Sequence, residues 1–465
     1  MAQKLTPGVY VEESSSFPPS VAGVATAIPA FIGYTACGPT QNPVSVSSLL
    51  EYQKLFGEGP TLSWTGGRLK GHEFALYDSI RLFYDNGGAE CYVISLGGYT
   101  ATNASATAYK TAIDELEKIG EVTLLVFPDA ATLLASSALA DVQQYALQHC
   151  HDLGGRFTIL DLSPVVKKPK TEKDPEMTLK DLTSVVDQFR TGIGTNYLCY
   201  GAAYYPFLKT SYEKEIKVSV VLEALGAKEG KDTELNKAYS LLNSTDPEKD
   251  LKVAALLPKI DKYAEKLAEL QEAASIVPPS GAIAGLYAAT DSRAGVWQAP
   301  ANISIASVCG LTELISDAQQ DKMNVADNGK SVNAIRFFKG KGYLVWGSRT
   351  LLGNDREWKY VNVRRFFNYV EQSLKNSTAW AVFQPNDANT WIKIQCQIES
   401  FLTTLWRDGA LAGATPDKAF FVEVGLGKTM DSNDILDGNL KVRIGLAAVR
   451  PAEFIILEFS HKVQE

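Results

Sequence analysis

The sequence predicts a multidomain protein of mixed class, in which an α/β region with a mostly parallel sheet precedes an α+β region. Three observations lead to this prediction. The chain has 465 residues, which is too long for one compact core, so two or three domains are expected. Between residues 28 and 208, uniformly apolar strands alternate with amphipathic helices, a pattern typical of a parallel sheet covered on both faces. Beyond residue 340, long amphipathic helices adjoin short strands.

The elements of the α/β region can be placed in order along the chain. Strands are predicted at residues 28–34, 91–96, 122–129, 156–162 and within 196–208. Helices are predicted at residues 48–57, 71–88, 105–118, 133–151 and 178–189. The glycines at positions 87 and 88 are expected to end the second of these helices.

Residues 209–275 differ in composition from the rest of the chain, because they are rich in Lys and Glu and helical in period. We expect a charged helical insertion with a solvated outer face, rather than an interaction helix. Residues 276–339 are then expected to return the chain to the α/β region through a Pro-Pro turn.

The last third, residues 340–465, is predicted to form a separate α+β domain. Apolar residues fall on one face of two helices, at 361–375 and 391–407, and Gly409 is placed to end the second. Short strands are predicted at 420–424, 440–446 and 450–459, the second from its strict alternation of apolar and polar residues.

Composition excludes several classes of protein. The chain is 45% hydrophobic and 21% charged, with a net charge of -8, which disfavours nucleic-acid binding because no basic face or tail is evident. No signal segment and no apolar run of roughly 18 residues is found, so the protein is expected in the cytoplasm of its producer, without membrane insertion. The six cysteines have no metal-binding spacing and are expected to be buried free thiols.

Two carboxylates offer the best enzymatic interpretation. Asp129 and Asp161 each end a predicted strand, at the edge of a doubly wound sheet where ligands bind. They could act with Asp85 or Arg293. The simpler interpretation is that each aspartate caps a helix or forms a turn, and it is favoured because no Gly-rich loop or nucleophile motif accompanies the pair.

Two further motifs are weak. GLGKT at residues 425–429 lacks the first glycine of a phosphate-binding loop, since Val422 stands at that position, and a loop-like segment follows it. His149 and His151 are two residues apart on a predicted helix, where they cannot easily share a metal ion, so solvated histidines are expected. No catalytic residue, cofactor or metal is therefore predicted.

The N-terminal stretch TPGVYVEE at residues 6–13 reads as a strand without a partner. A Ser/Pro segment follows at once, and no tight turn returns the chain to a second strand. Because strand backbone groups need partners, something must hold this arm, and that need not be the same molecule.

Six stretches resemble the tail sheath proteins of contractile phage tails and related contractile injection machines. The N-terminal TPGVYVEE and PAFIGYT also fit that family. Together the stretches cover roughly 110 residues from both ends of the chain, and residues 209–275 and 429–437 depart from the pattern. The six stretches are PPSGAIAGLYAATDSRAGVWQAPAN, GYLVWGSRTL, WKYVNVRRFFNYVEQSL, WAVFQPND, FLTTLWRDGALAGATPDKAFFVEV and AAVRPAEFIILEF.

The resemblance implies that both terminal arms add strands to sheets of neighbouring subunits. A linker between the arm and the body would act as a hinge while subunits reorient. The strand contacts implied by the resemblance are Val9, Tyr10, Val11, Glu12, Phe454, Ile455, Ile456 and Leu457, and the hinge residues are Ser14, Ser15, Ser16, Pro18 and Pro19.

The resemblance also implies a domain layout. An inner, discontinuous α+β assembly domain would comprise residues 1–22 and 340–465. An outer α/β domain at 23–208 and 276–339, carrying the charged insertion 209–275, would be inserted between them.

In function, the resemblance implies a structural sheath subunit and not an enzyme. Copies would form a helical homo-oligomer of hexameric rings around an inner tube protein, with baseplate proteins, terminator or cap proteins and sheath paralogues as further partners. Contraction would drive the tube through a target membrane. Lys393 and Arg407, on the two C-terminal helices, are the candidate tube contacts.

Two alternatives remain open at this stage. VATAIPAFIGYT is more similar to sheaths of extracellular, phage-derived injection systems, assembled in the bacterial cytoplasm and released, than to many phage sheaths, but a bacteriophage tail sheath is the alternative. A doubly wound enzyme using Asp129 and Asp161 is the remote one. An adhesin fits poorly.

Overall fold

A computed structural model describes residues 20–99, 104–163, 179–227, 233–244, 246–325 and 329–454. Of these, residues 20–24 and 370–449 form a smaller compact unit, and residues 25–369 with 450–454 form a larger one. The predicted assembly domain begins at residue 340, whereas the smaller unit begins at Val370, inside a helix. Residues 450–454 belong to the larger unit.

The larger unit contains fourteen strands among its described residues, in chain order β1 to β14. They are Pro29–Gly33, Val44–Val46, Ser63–Thr65, Arg68–Lys70, Cys91–Ser95, Leu124–Val126, Phe157–Asp161, Gly201–Tyr205, Leu208–Thr210, Ile276–Val277, Ile303–Ser304, Val308–Leu311, Asn333–Phe338 and Gly342–Val345.

Twelve α-helices, α1 to α12, lie wholly in the described residues of the larger unit. They are Leu49–Phe56, Leu76–Asp85, Ala106–Glu115, Pro128–Leu133, Ser136–Leu153, Leu179–Gly192, Val218–Ala224, Glu234–Leu242, Lys249–Leu256, Tyr263–Ala274, Ser280–Ala294 and Asp317–Asn324. Helix α13, Val361–Ser377, begins in the larger unit and ends in the smaller one.

Nine strands form the main sheet, in the order β11-β14-β13-β8-β7-β6-β1-β5-β2. The six strands from β13 to β5 are parallel to one another, and antiparallel strands lie at both edges. The predicted mostly parallel sheet is thus confirmed. Strand β14, which the sequence assigned to the C-terminal domain, pairs with β13 in this sheet instead.

Both faces of the sheet are covered, as its apolar strands require. On β1, Ala30 and Ile32 point into a cluster with α3 and α5 residues such as Tyr109 and Leu147. Phe31 points to the opposite face, into a cluster with α2 and α11. Helices are therefore needed on both faces of the sheet, because its strands are apolar on both faces.

Helix α11 packs on α2 at a very short distance. An added Cβ on Gly285 would lie 2.5 Å from the Phe83 carbonyl oxygen, and one on Gly281 would overlap the Ser79 carbonyl oxygen. Small residues one turn apart on α11 thus let the two backbones come together.

The predicted strand 122–129 is shorter than expected, because Pro128 begins helix α4. Proline suits the first turn of a helix, where its missing N–H would have no partner. The insertion 209–275 forms α7 to α10, and Val220, Val221 and Leu270 pack on Leu62 and Leu69 around the β3–β4 hairpin.

The smaller unit contains part of α13, a short 3-10 helix at Ala379–Ala381 and five further elements. They are α14 at Ala388–Arg407, α15 at Pro416–Ala419, β15 at Phe420–Val424, α16 at Ser432–Leu436 and β16 at Val442–Leu446. The predicted apolar face of α14 is buried at Ile394, Ile398, Leu402 and Leu405. No strand forms at residues 450–454, and the remainder of the predicted strand 450–459 lies outside the described residues.

None of the helices in the described ranges is both long and apolar enough to cross a membrane.

Candidate assembly surface

The N-terminal segment of the smaller unit is bound along helix α13. The Ala22 N–H donates to the Ser377 hydroxyl at 3.3 Å, and the Val24 N–H donates to the Ser373 hydroxyl at 3.1 Å. Residues two apart on an extended chain face the same way, and residues four apart on a helix share a face. Two serine side chains thus hold Ala22 and Val24 on α13.

In the larger unit, Arg365 on α13 binds the next part of this segment. Its guanidinium donates to the Thr26 carbonyl oxygen at 2.9 Å and forms two hydrogen bonds with the Asp291 carboxylate, at 3.0 and 2.6 Å. Both charged groups are nearly fully buried. Because a buried charge must be paired, this bidentate contact fixes Thr26 as well as the helix.

The C-terminal segment of the larger unit is bound through Glu453. Arg349 donates to both oxygens of its carboxylate, at 2.8 and 2.7 Å. Asn324 donates at 2.9 Å and Tyr360 at 3.0 Å. Burial raises the pKa of the Glu453 carboxyl, but the hydrogen bonds from Arg349 and its neighbours outweigh it and lower the pKa below its ordinary value.

Beyond this anchor, the Phe454 side chain is 69% exposed. The other predicted strand contacts and all the hinge residues lie outside the described residues. They are Val9, Tyr10, Val11, Glu12, Ile455, Ile456 and Leu457, with Ser14, Ser15, Ser16, Pro18 and Pro19.

The smaller unit presents a two-stranded antiparallel sheet. Strands β15 and β16 pair from Phe420 opposite Leu446 to Val424 opposite Val442, and no third strand pairs with either within the described residues. The Phe421 ring lies over Gly445 and remains half exposed. Two strands alone are marginally stable in water, so the open edges can accept a further strand.

Helix α14 places both candidate tube contacts on its solvent side. Lys393 and Arg407 are exposed, and Asp387 caps the helix by accepting from the Thr390 N–H at 2.9 Å. In the preceding loop, the Phe383 side chain is fully exposed. The amphipathic pattern thus predicted correctly which face of α14 is buried and which is exposed.

Asp129 follows strand β6 at the point where the strand order reverses around β1. Its carboxylate accepts from the backbone N–H groups of Tyr34 at 2.7 Å, Ala75 at 2.6 Å and Leu76 at 2.8 Å. The last two belong to the start of helix α2. Burial raises the pKa of Asp129 to about 7 despite these three donors. The carboxylate is enclosed, which leaves it no access to a substrate.

Asp161 has the same role at helix α11. Its carboxylate accepts from the Ser280 N–H at 3.0 Å and from the Ser280 hydroxyl, and burial raises its pKa to about 7. The favoured interpretation of both aspartates as helix caps fits these contacts, although each caps a helix distant in sequence. Asp85 is engaged elsewhere, with the hydroxyls of Tyr212 and Ser307.

The GLGKT segment at residues 425–429 forms a turn. The GLGKT segment closes a turn by a hydrogen bond from the Thr429 N–H to the Gly425 carbonyl at 3.0 Å, and the next helix, α16, begins only at Ser432. A phosphate site would need a helix beginning at the Lys-Thr pair, so a turn between β15 and β16 is what forms.

The prediction that both histidines are solvated is wrong for His149 and correct for His151. His149 is buried and accepts from Arg156 at 2.7 Å, and burial together with the Arg156 charge lowers its pKa to about 4. His151 is exposed and stacks on Tyr197. His149 lies close enough to Asp114 and Glu117 for the three to share a metal ion. However, the Arg156 guanidinium already donates to its Nε2 atom and would repel a cation.

The expectation of six buried thiols is also only partly correct. Cys91 and Cys150 are buried, whereas Cys37, Cys309 and Cys396 are exposed.

The described residues near both chain ends are bound to the fold, the β15–β16 sheet has no third strand among the described residues, and the buried aspartates cap helices. The comparisons with known proteins show that the chain is similar to the class of contractile sheath proteins. Residues 354–462 match the family described as the phage tail sheath C-terminal domain. This confirms the resemblance read from the sequence: the chain is related to the tail sheath proteins, which are structural and not enzymatic.

Particular relatives extend the match over the whole chain. The sheath of the extracellular contractile injection system PVC, in its contracted state, is 28% identical with a TM-score of 0.65, and the match covers 100% of this chain and 99% of that one. The helical sheath of the anti-feeding prophage, also contracted, is 28% identical with a TM-score of 0.65, over 99% and 100% of the two chains.

A curated relative matches over a shorter region. The tail sheath protein of Vibrio phage KVP40 is 27% identical over 129 residues, or 28% of this chain. The match spans only 19% of the phage protein.

The sequence did not single out the residues that anchor the arms. Arg349, Arg365 and Glu453 stand in stretches that resemble sheath proteins, so a charged residue within an apolar neighbourhood was an available signal. Ser373 and Ser377 gave none, because a serine on a helix has no distinctive pattern.

Proposed function

We propose that this chain is the structural subunit of a contractile sheath. Copies polymerise as a helical tube, with hexameric rings, around a rigid inner tube protein, and contraction drives that tube through a target membrane. The observation that carries the proposal is the match to contractile sheath structures over essentially the whole chain.

The particle is an extracellular, phage-derived injection system, assembled in the bacterial cytoplasm and then released. This is favoured because the PVC and anti-feeding prophage sheaths match over essentially the whole chain at 28% identity. A bacteriophage tail sheath is the alternative. Baseplate proteins, terminator or cap proteins and sheath paralogues complete the list of partners.

Subunits are linked by strand addition at the β15–β16 sheet. The terminal arms of neighbouring copies supply the strands, with Val9 to Glu12 and Phe454 to Leu457 as the contacts and residues 14–19 as the hinge. The open edges of β15 and β16 support this, because main-chain hydrogen bonds give such additions their affinity. An inner domain made from both ends of the chain would carry this mesh, with the α/β region outside.

Contraction draws its energy from repacking. Apolar burial contributes roughly 25 cal/mol per Å², so a few hundred Å² gained per subunit would release several kcal/mol. Summed over a long polymer, this drives the tube without nucleotide hydrolysis. A mechanism without nucleotide hydrolysis is consistent with the roles of Asp129 and Asp161, which are enclosed and cap helices.

The test is to delete residues 1–16 and compare the protein with the full chain by electron microscopy. We expect tubes or cylinders from the full chain, and folded subunits that form none after the deletion. Tubes formed equally well by the deleted chain would exclude arm-mediated assembly. Full-length protein that stays a small closed oligomer would exclude a sheath.

Tube contact is tested separately by Lys393→Glu and Arg407→Glu in the full chain. Both side chains are exposed, so the substitutions should leave folding intact and reduce co-assembly with the inner tube protein. Unchanged co-assembly would remove these two residues from the tube surface.

A further inference from the structure

The main sheet carries an exposed aromatic hairpin at one edge. We use this name for residues 336–346, which comprise the end of β13, its turn and β14. Phe337 is 51% exposed and packs on Tyr343 at 5.3 Å between ring centroids. Phe338 packs on Trp346, which is 36% exposed, at 4.5 Å. The hairpin thus carries two aromatic pairs, one on each face, because Phe337 and Phe338 are consecutive strand residues.

The tip of this hairpin is basic. Lys339 and Lys341 flank Gly340 and are exposed, and neither forms an ion pair with a described residue. Arg336, at the base, pairs with Asp317 at 2.7 Å. Aromatic residues are enriched in protein interfaces, and the rim around them is polar.

The aromatic hairpin projects beyond the carboxyl edge of the parallel strands. Strand β13 pairs with β8 only through Asn333 and Ala334, the latter opposite Tyr205, where β8 ends. From Ile335 to Phe338 its partner is β14 alone. The cations are therefore held away from the body of the sheet.

Acidic residues gather at the opposite, amino edge of the same sheet. Glu90 directly precedes β5 and Glu121 precedes β6. Asp114 lies at the end of α3 and Glu117 in the 3-10 helix Leu116–Lys118 that follows it, where the chain returns to that edge. All four are exposed. We call these four residues the acidic edge. The nearby Arg156, whose buried guanidinium donates to the carbonyl oxygens of Leu116 and Ile119, interacts with the Glu117 charge and offsets one of the four negative charges.

We propose that the aromatic hairpin of one copy docks on the acidic edge of the next copy in the polymer, an inference that rests on the proposed function for the polymer itself. The two surfaces are complementary in charge but lie at opposite edges of one sheet, so a single copy cannot bring them together. Surfaces that differ in this way make a head-to-tail contact, which can repeat without closing.

The occupant is a second copy because the chain itself supplies the opposite charge. The chain has a net charge of -8, and the charge of the acidic edge is opposite in sign to that of the two lysines. Such charge pairs act mainly on the rate and register of association, and the aromatic side chains supply the apolar contact area. An anionic membrane is the competing occupant for a basic aromatic tip.

The experiment is a charge exchange in the full-length chain. Lys339→Glu with Lys341→Glu reverses the tip, Glu117→Lys with Glu121→Lys reverses the acidic edge, and a third protein carries all four changes. Lys259→Glu with Lys262→Glu, exposed residues of the insertion, is the matched control. Circular dichroism and thermal melting establish that each protein is folded.

Association is measured by sedimentation velocity at low and high salt, and tubes are scored by electron microscopy. We expect each reversal to weaken association about tenfold at low salt, the four-residue exchange to restore most of it, and the control to match wild type. High salt should reduce these differences, because exposed charges are screened. Phe337→Ser should weaken association at both salt concentrations.

The outcomes separate this inference from the proposed function. Wild-type tubes that the reversals leave unchanged, or reversals that the exchange does not rescue, would overturn the docking and leave the sheath standing. Small salt-sensitive oligomers without tubes, dissociated by the reversals, would support the docking and overturn the sheath. No association at all would overturn both. Binding of the wild type, and not the Lys339/Lys341 variant, to phosphatidylserine vesicles without any effect on association would assign the hairpin to a membrane instead.

Discussion

Arg349 and Glu453 are 104 residues apart in sequence and form a bidentate ion pair in the larger unit. Arg349 is only 3% exposed, and its remaining N–H groups donate to the carbonyl oxygens of Asn324 and Gly353. The Glu453 carboxylate is therefore bonded to three separate parts of the larger unit, through Asn324, Arg349 and Tyr360.

Glu453→Gln should destabilise the larger unit by about 2 kcal/mol, because it leaves a buried guanidinium without its counter-charge. The matched control is Glu423→Gln, since the Glu423–Arg443 pair is exposed on both sides and should change stability by less than about 0.5 kcal/mol. Urea unfolding measures both. Equal effects would mean that the buried pair does not stabilise the fold.

The same pair has a defined pH dependence. The pKa of Glu453 is lowered in the folded protein, so the stability it contributes is present above the unfolded pKa of about 4.3 and is lost as pH falls through the lower folded value. The difference between wild type and Glu453→Gln should accordingly shrink below about pH 4. A difference that grew in acid would contradict this assignment.

The anchoring of the N-terminal segment can be followed by hydrogen exchange. Ser373→Ala with Ser377→Ala removes the acceptors of the Val24 and Ala22 N–H groups. Each hydrogen bond is worth about 1 kcal/mol, so exchange at Val24 should accelerate about fivefold. Ser400→Ala, on the exposed face of α14, should leave it unchanged. Unaltered exchange at Val24 in the double variant would mean that another contact holds this segment.

The close packing of α11 on α2 predicts a strong effect of one methyl group. Gly281→Ala places a Cβ against the Ser79 backbone, which cannot move aside as a flexible side chain would, so stability should fall by about 2 kcal/mol or more. Gly120→Ala is the control, because a Cβ there meets no atom within 4 Å. Chemical unfolding that fails to distinguish the two variants would mean that the helices separate easily.

The capping aspartates predict an opposite pH response to that of Glu453. Burial raises the pKa of Asp161 to about 7, against an unfolded value of about 3.9. The stability it contributes is complete below the unfolded pKa and is lost as pH rises to about 7, by about 1 kcal/mol per pH unit. Relative to Asp161→Asn, the wild type should therefore lose stability between pH 4 and 7 and show no further change above it. A flat difference would mean that the carboxyl stays ionised.

Strand and helix positions in the α/β region could be read from the sequence, because burial on both faces leaves uniformly apolar strands. The sequence predicts a strand at residues 420–424, and these are the observed bounds of β15. Gly409, at φ +84°, follows the end of α14 as predicted. These features depend on local chemistry and on the period of the hydrophobic pattern.

What sequence alone did not provide were contacts between distant residues. Asp129 was read as a cap for the helix that follows it, but its carboxylate binds α2, more than fifty residues earlier in the chain. The boundary between the compact units falls inside α13, where the helical pattern continues without a break. Pairing across the chain depends on topology, which periodicity does not encode.

The position of Asp129 determines which group occupies the N-terminus of α2. In many folds of this architecture, the N-terminus of a helix at the point where strand order reverses receives a diffusible anion such as a nucleotide phosphate. Here the polypeptide supplies its own carboxyl group to that helix from within the fold. The first N–H groups of α2 therefore have an acceptor inside the chain itself.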